Sequence, residues 1–124
     1  MLENGLTTTC PQIVEAHHLA VHVGSGDLNV LSTPSMIALM EKAAMLCVAD
    51  HLEKSQTTVG GKIAVSHLTP TAHGRSISAT ATLTAVEGRK LQFAITASDD
   101  EGIIGEGEHT RFIVDREKFM ERLK

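Results

Sequence analysis

The stretch Thr33–Lys54, TPSMIALMEKAAMLCVADHLEK, is a long uninterrupted run of residues that favour a helix. The Thr33 hydroxyl can accept a hydrogen bond from a free amide of the first turn. Pro34 fits the next position, where a missing N–H has no cost. The stretch therefore predicts one helix of about five to six turns with Thr33 as its N-cap. Its first half is apolar on nearly every face, which is typical of a helix enclosed by other structure.

Glu41 lies in the middle of this apolar segment. The residues next to it at helical spacing cannot pair with a carboxylate, and they are Ile37, Ala38, Ala44 and Met45. An ionised carboxylate in such surroundings is costly unless a polar group meets it from outside the helix. We therefore expect a partner for Glu41 elsewhere in the chain.

The composition is that of an ordinary globular domain. With 124 residues, 42% of them hydrophobic and 21% charged, the chain has the size for a single domain spanning residues 1–124. No segment approaches the roughly 18 apolar residues of a membrane span. The N-terminus lacks the pattern of a signal peptide, so we expect a cytoplasmic protein without membrane association. Two cysteines, Cys10 and Cys47, are too few for a disulfide framework.

Nucleic acid is excluded as a partner by charge and by aromatic content. The net charge is −4, and no Lys/Arg cluster suits a phosphate backbone. The sequence has no Trp, no Tyr and only three Phe, so surfaces for base stacking are scarce. His17, His18 and His22 lie close together, but no Cys or carboxylate completes a ligand set around them. We therefore expect neither a metal site nor a cofactor.

The remaining segments predict strands. These are residues 13–23, 59–68, 76–85, 90–97 and 103–114, and residues 116–124 form a short charged helix. The clearest alternation is in 76–85, where Ile77, Ala79, Ala81, Leu83 and Ala85 share one face. Short turns between the later strands require antiparallel neighbours. A sheet with one polar face must bury its other face, and the long helix is the large apolar element available.

These elements predict an α+β domain in which a curved antiparallel sheet of about five strands wraps around one long central helix. This architecture is known as the hotdog fold. Within the strand 59–68, Val59, Ile63, Val65 and His67 are in phase, so we expect His67 to point inward, toward Glu41. A carboxylate and an imidazole together can perform acid–base chemistry near neutral pH.

Backbone amides beside Thr33, or those of Gly60 and Gly61, can bind the oxyanion of a carbonyl under attack. Each residue also has a structural interpretation: Thr33 as a cap only, Glu41 as a structural carboxylate, and His67 as a core or interface side chain. Periodicity and composition therefore predict a hotdog-like domain with a polar pocket and go no further.

Four groups of residues, in sequence order and with this spacing, match a known family. They are Thr33 with Leu39-Met40-Glu41 and Ala44; Gly60 with Val65-Ser66-His67; VEGRKL at 86–91; and GEGEHTR at 105–111. On these residues the chain resembles the hotdog-fold acyl-CoA thioesterases of the fluoroacetyl-CoA thioesterase type. The resemblance implies that Thr33, Glu41 and His67 form the catalytic group, and that Gly60 lies near the thioester carbonyl.

From its amide we expect Gly61 to bind substrate together with Gly60, and the resemblance implies that Arg111 lies near the substrate-binding region. Arg111 is equally interpretable as part of a surface or interface ion pair. His109 is in phase with Arg111. The implied protein is a homodimer with its sites at the subunit interface, which hydrolyses a short or medium acyl-CoA to the acid and free CoA. Glu41 would act as nucleophile or as the base for water, Thr33 would orient the carboxylate and substrate, and His67 would assist the departing thiolate.

One segment departs from the family pattern. In the fluoroacetyl-CoA enzyme, aromatic residues before the helix gate the acyl pocket, whereas residues 24–29 here include none. We therefore expect a different acyl group. Two other functions stay open at this point: a hotdog hydratase or dehydratase that acts on acyl thioesters, and a non-catalytic acyl-CoA-binding protein.

Overall fold

The computed structural model describes residues 2–124, and in them five strands and three helices surround one core. The strands are β1 (Thr7–Ile13), β2 (Gln56–His67), β3 (Ser76–Glu87), β4 (Lys90–Asp99) and β5 (Gly102–Asp115). The helices are α1 (Ala20–Val23), the long α2 (Thr33–Ala49) and α3 (Arg116–Glu121), with a 3-10 turn at Ala16–His18. No helix in the described residues is long and apolar enough to cross a membrane.

All five strands belong to one antiparallel sheet, in the order β1-β3-β4-β5-β2. Helix α2 packs across one face of this sheet, mainly against β3 and β1. The predicted α+β hotdog architecture is therefore confirmed. Because β2 and β1 are the outer strands, each leaves one row of backbone groups without a partner in the sheet.

Alternation in β3 and β4 builds the sheet side of the core. Their buried side chains are Ile77, Ala79, Ala81, Leu83, Leu91, Phe93, Ile95 and Ala97. The helix contributes a matching apolar face of Met36, Leu39, Met40, Ala43, Ala44, Cys47 and Val48. The opposite face of α2 is open, and Leu46 there is 42% exposed. The prediction of an enclosed helix was wrong, because one sheet covers only one side of a helix and leaves an apolar outer face uncovered.

The ends of α2 differ from the prediction. Ser32 is the N-cap, since its hydroxyl accepts a hydrogen bond of 3.1 Å from the Ser35 amide. Thr33 is therefore the first helical residue rather than the cap, and its hydroxyl is free for another partner. The helix ends at Ala49 and not at Lys54, because the chain must turn before β2 begins at Gln56.

The first strand lies earlier in the sequence than predicted. Of the predicted strand 13–23, Ile13 is the last residue of β1, and the rest contains the 3-10 turn and α1 rather than a strand. The strand that pairs along β3 is Thr7–Ile13. Hydrogen bonds between threonine hydroxyls stabilise this pairing, and the Oγ1 atoms of Thr9 and Thr80 lie 2.8 Å apart. The apolar residues between 13 and 23 include Val14 and Leu19, which are buried under a turn and show no strand alternation.

Candidate active site

A β-bulge in β2 decides which residues of that strand face the helix. Gly60 pairs with Arg111 and Lys62 pairs with Thr110, so Gly61 is an extra residue in β2. The bulge reverses the alternation of β2. Before it, the even-numbered Gly60 faces α2, and after it, the odd-numbered His67 faces inward. Val59 pairs with the exposed Phe112 on the outer face, so the prediction that it shares a phase with His67 was wrong.

Thr33 and His67 form the first half of the candidate site. Thr33 Oγ1 lies 2.8 Å from His67 Nδ1, which joins the start of α2 to the end of β2. Burial lowers the pKa of His67, and the backbone of Thr69 partly offsets this effect. His67 is therefore neutral at pH 7. Its Nε2 is buried and has no hydrogen-bond partner among residues 2–124.

An open cleft of about 300 Å³ lies beside this pair. Its wall combines the pair with small and apolar side chains, which are Ala20, Ser25, Val30, Leu31, Ser32, Leu68, Thr69 and Pro70. Clefts with an apolar wall and a few polar groups are typical of small-molecule sites. The cleft thus places the Thr33–His67 pair where a ligand can reach it.

Glu41 belongs to a second group of residues. Its Oε2 lies 3.8 Å from Arg111 Nη1 and 3.9 Å from His109 Nε2. The prediction that Glu41 finds a partner outside the helix is confirmed, but these partners come from β5 and do not include His67. The Glu41 side chain is 42% exposed, so its carboxylate is reachable from solvent.

Gly60 allows the carboxylate to approach the sheet. A Cβ added at Gly60 would lie only 2.9 Å from Glu41 Oε2 and 3.3 Å from His109 Cε1. Any side chain there would occupy the space that the carboxylate uses. Gly61 lies on the other face of β2, beneath the ring of Phe112. The structure thus places Gly60, but not Gly61, beside Glu41.

Arg111 is buried at 6% exposure and is held by three hydrogen bonds. Its Nε donates to Thr58 Oγ1 at 2.8 Å, its Nη2 donates to the Thr58 carbonyl at 3.0 Å, and its Nη1 donates to His109 Nε2 at 3.1 Å. Burial lowers the pKa of Arg111, whereas the nearby Glu41 carboxylate opposes this shift. Arginine stays charged at neutral pH in any case, so the group presents a fixed positive charge beside Glu41.

His109 completes this second group, with its Nδ1 lying 2.8 Å from the Lys62 carbonyl. Burial lowers the pKa of His109 and Arg111 lowers it further, while the Lys62 carbonyl and Glu41 raise it. The in-phase spacing of His109 and Arg111 in the sequence pointed to their common face. Sequence reasoning missed Thr58, because neither its position nor its residue type distinguishes it from the other threonines.

The two groups lie toward opposite ends of β2. Gly60 and His67 are seven residues apart, which is about 20 Å of strand. Among residues 2–124, the Glu41 carboxylate forms an ion pair with Arg111 and lies within 4 Å of the His109 ring, and it forms no ion pair with His67. A single chain therefore brings Thr33 to His67, and Glu41 to Gly60 and Arg111, without joining the two groups. No cluster of three or more His, Cys, Asp or Glu side chains in the described residues could hold a metal ion.

Comparisons with known proteins agree with this arrangement of elements. The family model described as fluoroacetyl-CoA-specific thioesterase matches residues 14–117. The fluoroacetyl-CoA thioesterase of Streptantibioticus cattleyicolor is 36% identical over 96 residues, which cover 77% of this chain and 69% of that protein.

Solved structures show the same similarity. A crystal structure of a single-residue variant of the fluoroacetyl-CoA-specific thioesterase, in complex with fluoroacetate and CoA, has a TM-score of 0.90 and 31% identity. The match covers 95% of this chain and 99% of that chain. A thioesterase superfamily member from Thermus thermophilus has a TM-score of 0.91 at 20% identity, covering 99% of this chain and 91% of that one, and supports the fold alone. The chain belongs to the fluoroacetyl-CoA-specific thioesterase family, a family of hotdog-fold acyl-CoA thioester hydrolases.

Proposed function

We propose that this protein hydrolyses a short or medium acyl-CoA thioester to the acid and free CoA, with Glu41, Thr33 and His67 as its catalytic residues. The observation that carries the proposal is the Glu41 carboxylate, half-exposed and held within 4 Å of Arg111 beside a glycine. A carboxylate in this setting can attack a thioester carbonyl or accept a proton from an attacking water. If Glu41 attacks, its new C–O bond replaces the C–S bond, and water then hydrolyses the resulting anhydride to the acid and the free carboxylate. If water attacks, it forms the C–O bond while Glu41 takes its proton. In both routes the sulfur leaves as thiolate.

Gly60 and Arg111 are the substrate-binding residues on this side of the site. Because Gly60 has no side chain, the thioester carbonyl can lie against the backbone of β2 next to Glu41. The guanidinium of Arg111 places positive charge near the oxygen on which negative charge develops. Gly61 is the extra residue of the bulge and lies on the outer face of β2, beneath the Phe112 ring.

The Thr33–His67 pair serves the leaving group. We assign the Thr33 hydroxyl as the donor to Nδ1 of the neutral imidazole, which places the ring proton on Nε2. Nε2 has no hydrogen-bond partner in the described residues but is enclosed, so the ring must turn toward the cleft for its N–H to reach the thioester sulfur. A hydrogen bond from this N–H to the sulfur stabilises the thiolate as the C–S bond breaks, and the neutral ring keeps its proton.

Two copies of the chain are needed to bring both groups to one substrate. Strand β2 is a 12-residue edge strand, and edge strands of this length pair readily with another chain. Antiparallel pairing of β2 with its two-fold copy, centred near Ala64, sets the partner's His67 opposite the Gly60–Gly61 bulge. Glu41 of one subunit then faces the Thr33–His67 pair of the other, and a homodimer has two such sites.

The cleft beside His67 is where the acyl group fits. Its small and apolar wall, and the absence of aromatic residues in 24–29, leave room for an acyl chain longer than two carbons. We place the enzyme in the cytoplasm, since Cys10 and Cys47 are both free thiols.

Release of free thiol from a panel of acyl-CoAs of increasing chain length tests the proposal. Glu41→Gln and His67→Ala are each expected to lower kcat by about 100-fold or more, which is the usual size of a lost acid–base group. Lys42→Gln, a change at the exposed neighbour of Glu41 on α2, is the matched control and should retain activity. If both site variants stay within a few-fold of wild type, the assignment is wrong. Hydration of an enoyl-CoA without thiol release would point to a hydratase. Binding of an acyl-CoA without turnover would point to a non-catalytic acyl-CoA-binding protein.

A further inference from the structure

We propose that His109 is a positioning residue for Arg111, and that its Nε2 lone pair holds the guanidinium in place beside Glu41. The inference rests on the proposed function, in which Glu41 and Arg111 act on the substrate. It concerns a side chain that is only 2% exposed and therefore acts through Arg111 rather than on the substrate itself.

The hydrogen bonds of His109 determine its tautomer. Nδ1 lies 2.8 Å from the Lys62 carbonyl, which can only accept, so Nδ1 carries the proton. Nε2 then has a free lone pair, and it accepts the hydrogen bond from Arg111 Nη1 at 3.1 Å. His109 therefore joins the backbone of β2 to the side chain of Arg111 through opposite sides of one ring.

The guanidinium of Arg111 is anchored on two sides. Nε and Nη2 donate to Thr58, and Nη1, which contacts Glu41, has His109 as its one hydrogen-bond acceptor among residues 2–124. Without the His109 Nε2 acceptor, the rigid guanidinium can pivot about its two bonds to Thr58 and carry Nη1 away from the carboxylate. Displacements of about 1 Å in an active site can cost about 100-fold in rate.

Only a neutral His109 can have this role. A protonated ring would present an N–H to the cationic Arg111, which repels it and offers no acceptor. The groups that face the ring are the Lys62 carbonyl from β2, Glu41 from α2, Arg111 on its own strand β5, and Phe93 from β4, whose ring centre is 6.3 Å away. Burial among them favours the neutral form.

The test compares three substitutions of His109 in the full-length enzyme. In His109→Gln, the side-chain oxygen can take the place of Nε2 and accept from Arg111. His109→Asn can still donate to the Lys62 carbonyl but is too short to reach Arg111, and His109→Met has the length of Gln without a polar group. We expect kcat to fall about ten-fold or more for Asn and Met, and to stay within a few-fold of wild type for Gln.

Two outcomes would overturn the inference. If His109→Asn retains as much activity as His109→Gln, the important bond is the one to Lys62 and the role is structural. If Gln and Met are equal in kcat, the ring only fills space. His109→Met keeps the comparison decisive should the Asn variant fail to fold, and melting temperatures recorded for every variant separate lost activity from lost stability.

A double-mutant cycle with Arg111→Lys tests the coupling directly. If His109 acts through Arg111, the loss caused by His109→Met should largely disappear in the Arg111→Lys background, whereas independent roles would give additive losses. Glu41→Gln separates this inference from the proposed function. An active Glu41→Gln enzyme would refute the proposed site. An inactive Glu41→Gln enzyme, together with equal kcat values for His109→Gln and His109→Met, would refute the inference alone.

Discussion

At the residue scale, the position of the Glu41 carboxylate depends on two neighbours, a glycine without a side chain and a charged arginine. Gly60 provides space, because a methyl group there would lie 2.9 Å from Glu41 Oε2. Arg111 provides charge, and its three hydrogen bonds prevent it from turning to solvent. A buried cation of this kind stabilises an adjacent carboxylate more than a surface pair does, because water screens it less.

Gly60→Ala should separate activity from stability. The added methyl meets the far end of the flexible Glu41 side chain, which can move aside, and it lies 3.3 Å from Cε1 of the buried His109, which needs to shift by only a few tenths of an ångström. We expect kcat for acyl-CoA hydrolysis to fall about ten-fold or more through misplacement of the carboxylate, with a small change in melting temperature. Lys42→Gln, at an exposed position of α2, is the control and should retain activity. Full activity in Gly60→Ala would contradict the account.

The buried histidines predict how stability depends on pH. Burial lowers the pKa of both His67 and His109 in the folded state below the ordinary value of 6.5. Near and just below that pH, the unfolded chain therefore binds more protons than the folded chain does. The free energy of unfolding is then highest above about pH 6.5 and decreases as the pH falls below this value. Denaturation by urea at several pH values measures this slope. His109→Gln should reduce it, and a slope equal to that of wild type would argue against a contribution from His109.

The sequence predicted the identity of the site residues better than their contacts. Glu41 was identified because an isolated carboxylate in an apolar helix needs a partner, and that reasoning holds for any partner. Whether His67 or His109 is the histidine that lies next to Glu41 depends on the register of β2 against β5. Residue types alone do not encode that register. The free Nε2 of His67 and the anchoring role of Thr58 are likewise properties of packing.

At the element scale, β2 and α2 carry the differences between prediction and structure. Alternation predicted β3 and β4 well, because each has one buried and one solvent-facing side, whereas in β5 the three successive residues His109, Thr110 and Arg111 are all buried. In β2 the bulge at Gly60 and Gly61 changes the phase, and a count of alternating residues cannot detect an inserted one. The strand Thr7–Ile13 was missed because its threonines and Pro11 show little alternation.

The start of α2 offers a test that separates capping from catalysis. Ser32 caps the helix, so Ser32→Ala should lower the free energy of unfolding by about 1 kcal/mol. Thr33→Val removes the hydroxyl that meets His67 without removing the cap, so it should lower kcat while changing stability less than Ser32→Ala does. Urea denaturation and thiol release on both variants measure the two effects. If Thr33→Val lowers the free energy of unfolding more than Ser32→Ala does and leaves kcat unchanged, then Thr33 is the cap and its hydroxyl has no role beside His67.

At the scale of the whole molecule, the two groups of the candidate site lie apart along one edge strand, with Glu41 beside Gly60 and with Thr33 beside His67 at the end of β2. The outer face of α2 is apolar and open, with Met45 and Leu46 both exposed, and β2 has an unpaired row of backbone groups. These features fit a chain that associates with a second copy along β2. The sequence contained the residues of both groups, but their separation in one chain became visible only once the sheet order was known.

Mixing two inactive variants tests this arrangement most directly. Glu41→Gln and His67→Ala homodimers each lack one group in both sites, but a heterodimer has one site with an intact Glu41 and an intact His67 from the partner. Subunit exchange in an equal mixture makes about half of the dimers mixed, so thiol release should recover to about a quarter of the wild-type rate. Mixing either variant with the double variant is the control and should restore nothing. If the equal mixture stays inactive although subunit exchange is demonstrated, the catalytic group does not form across the dimer and the account is wrong.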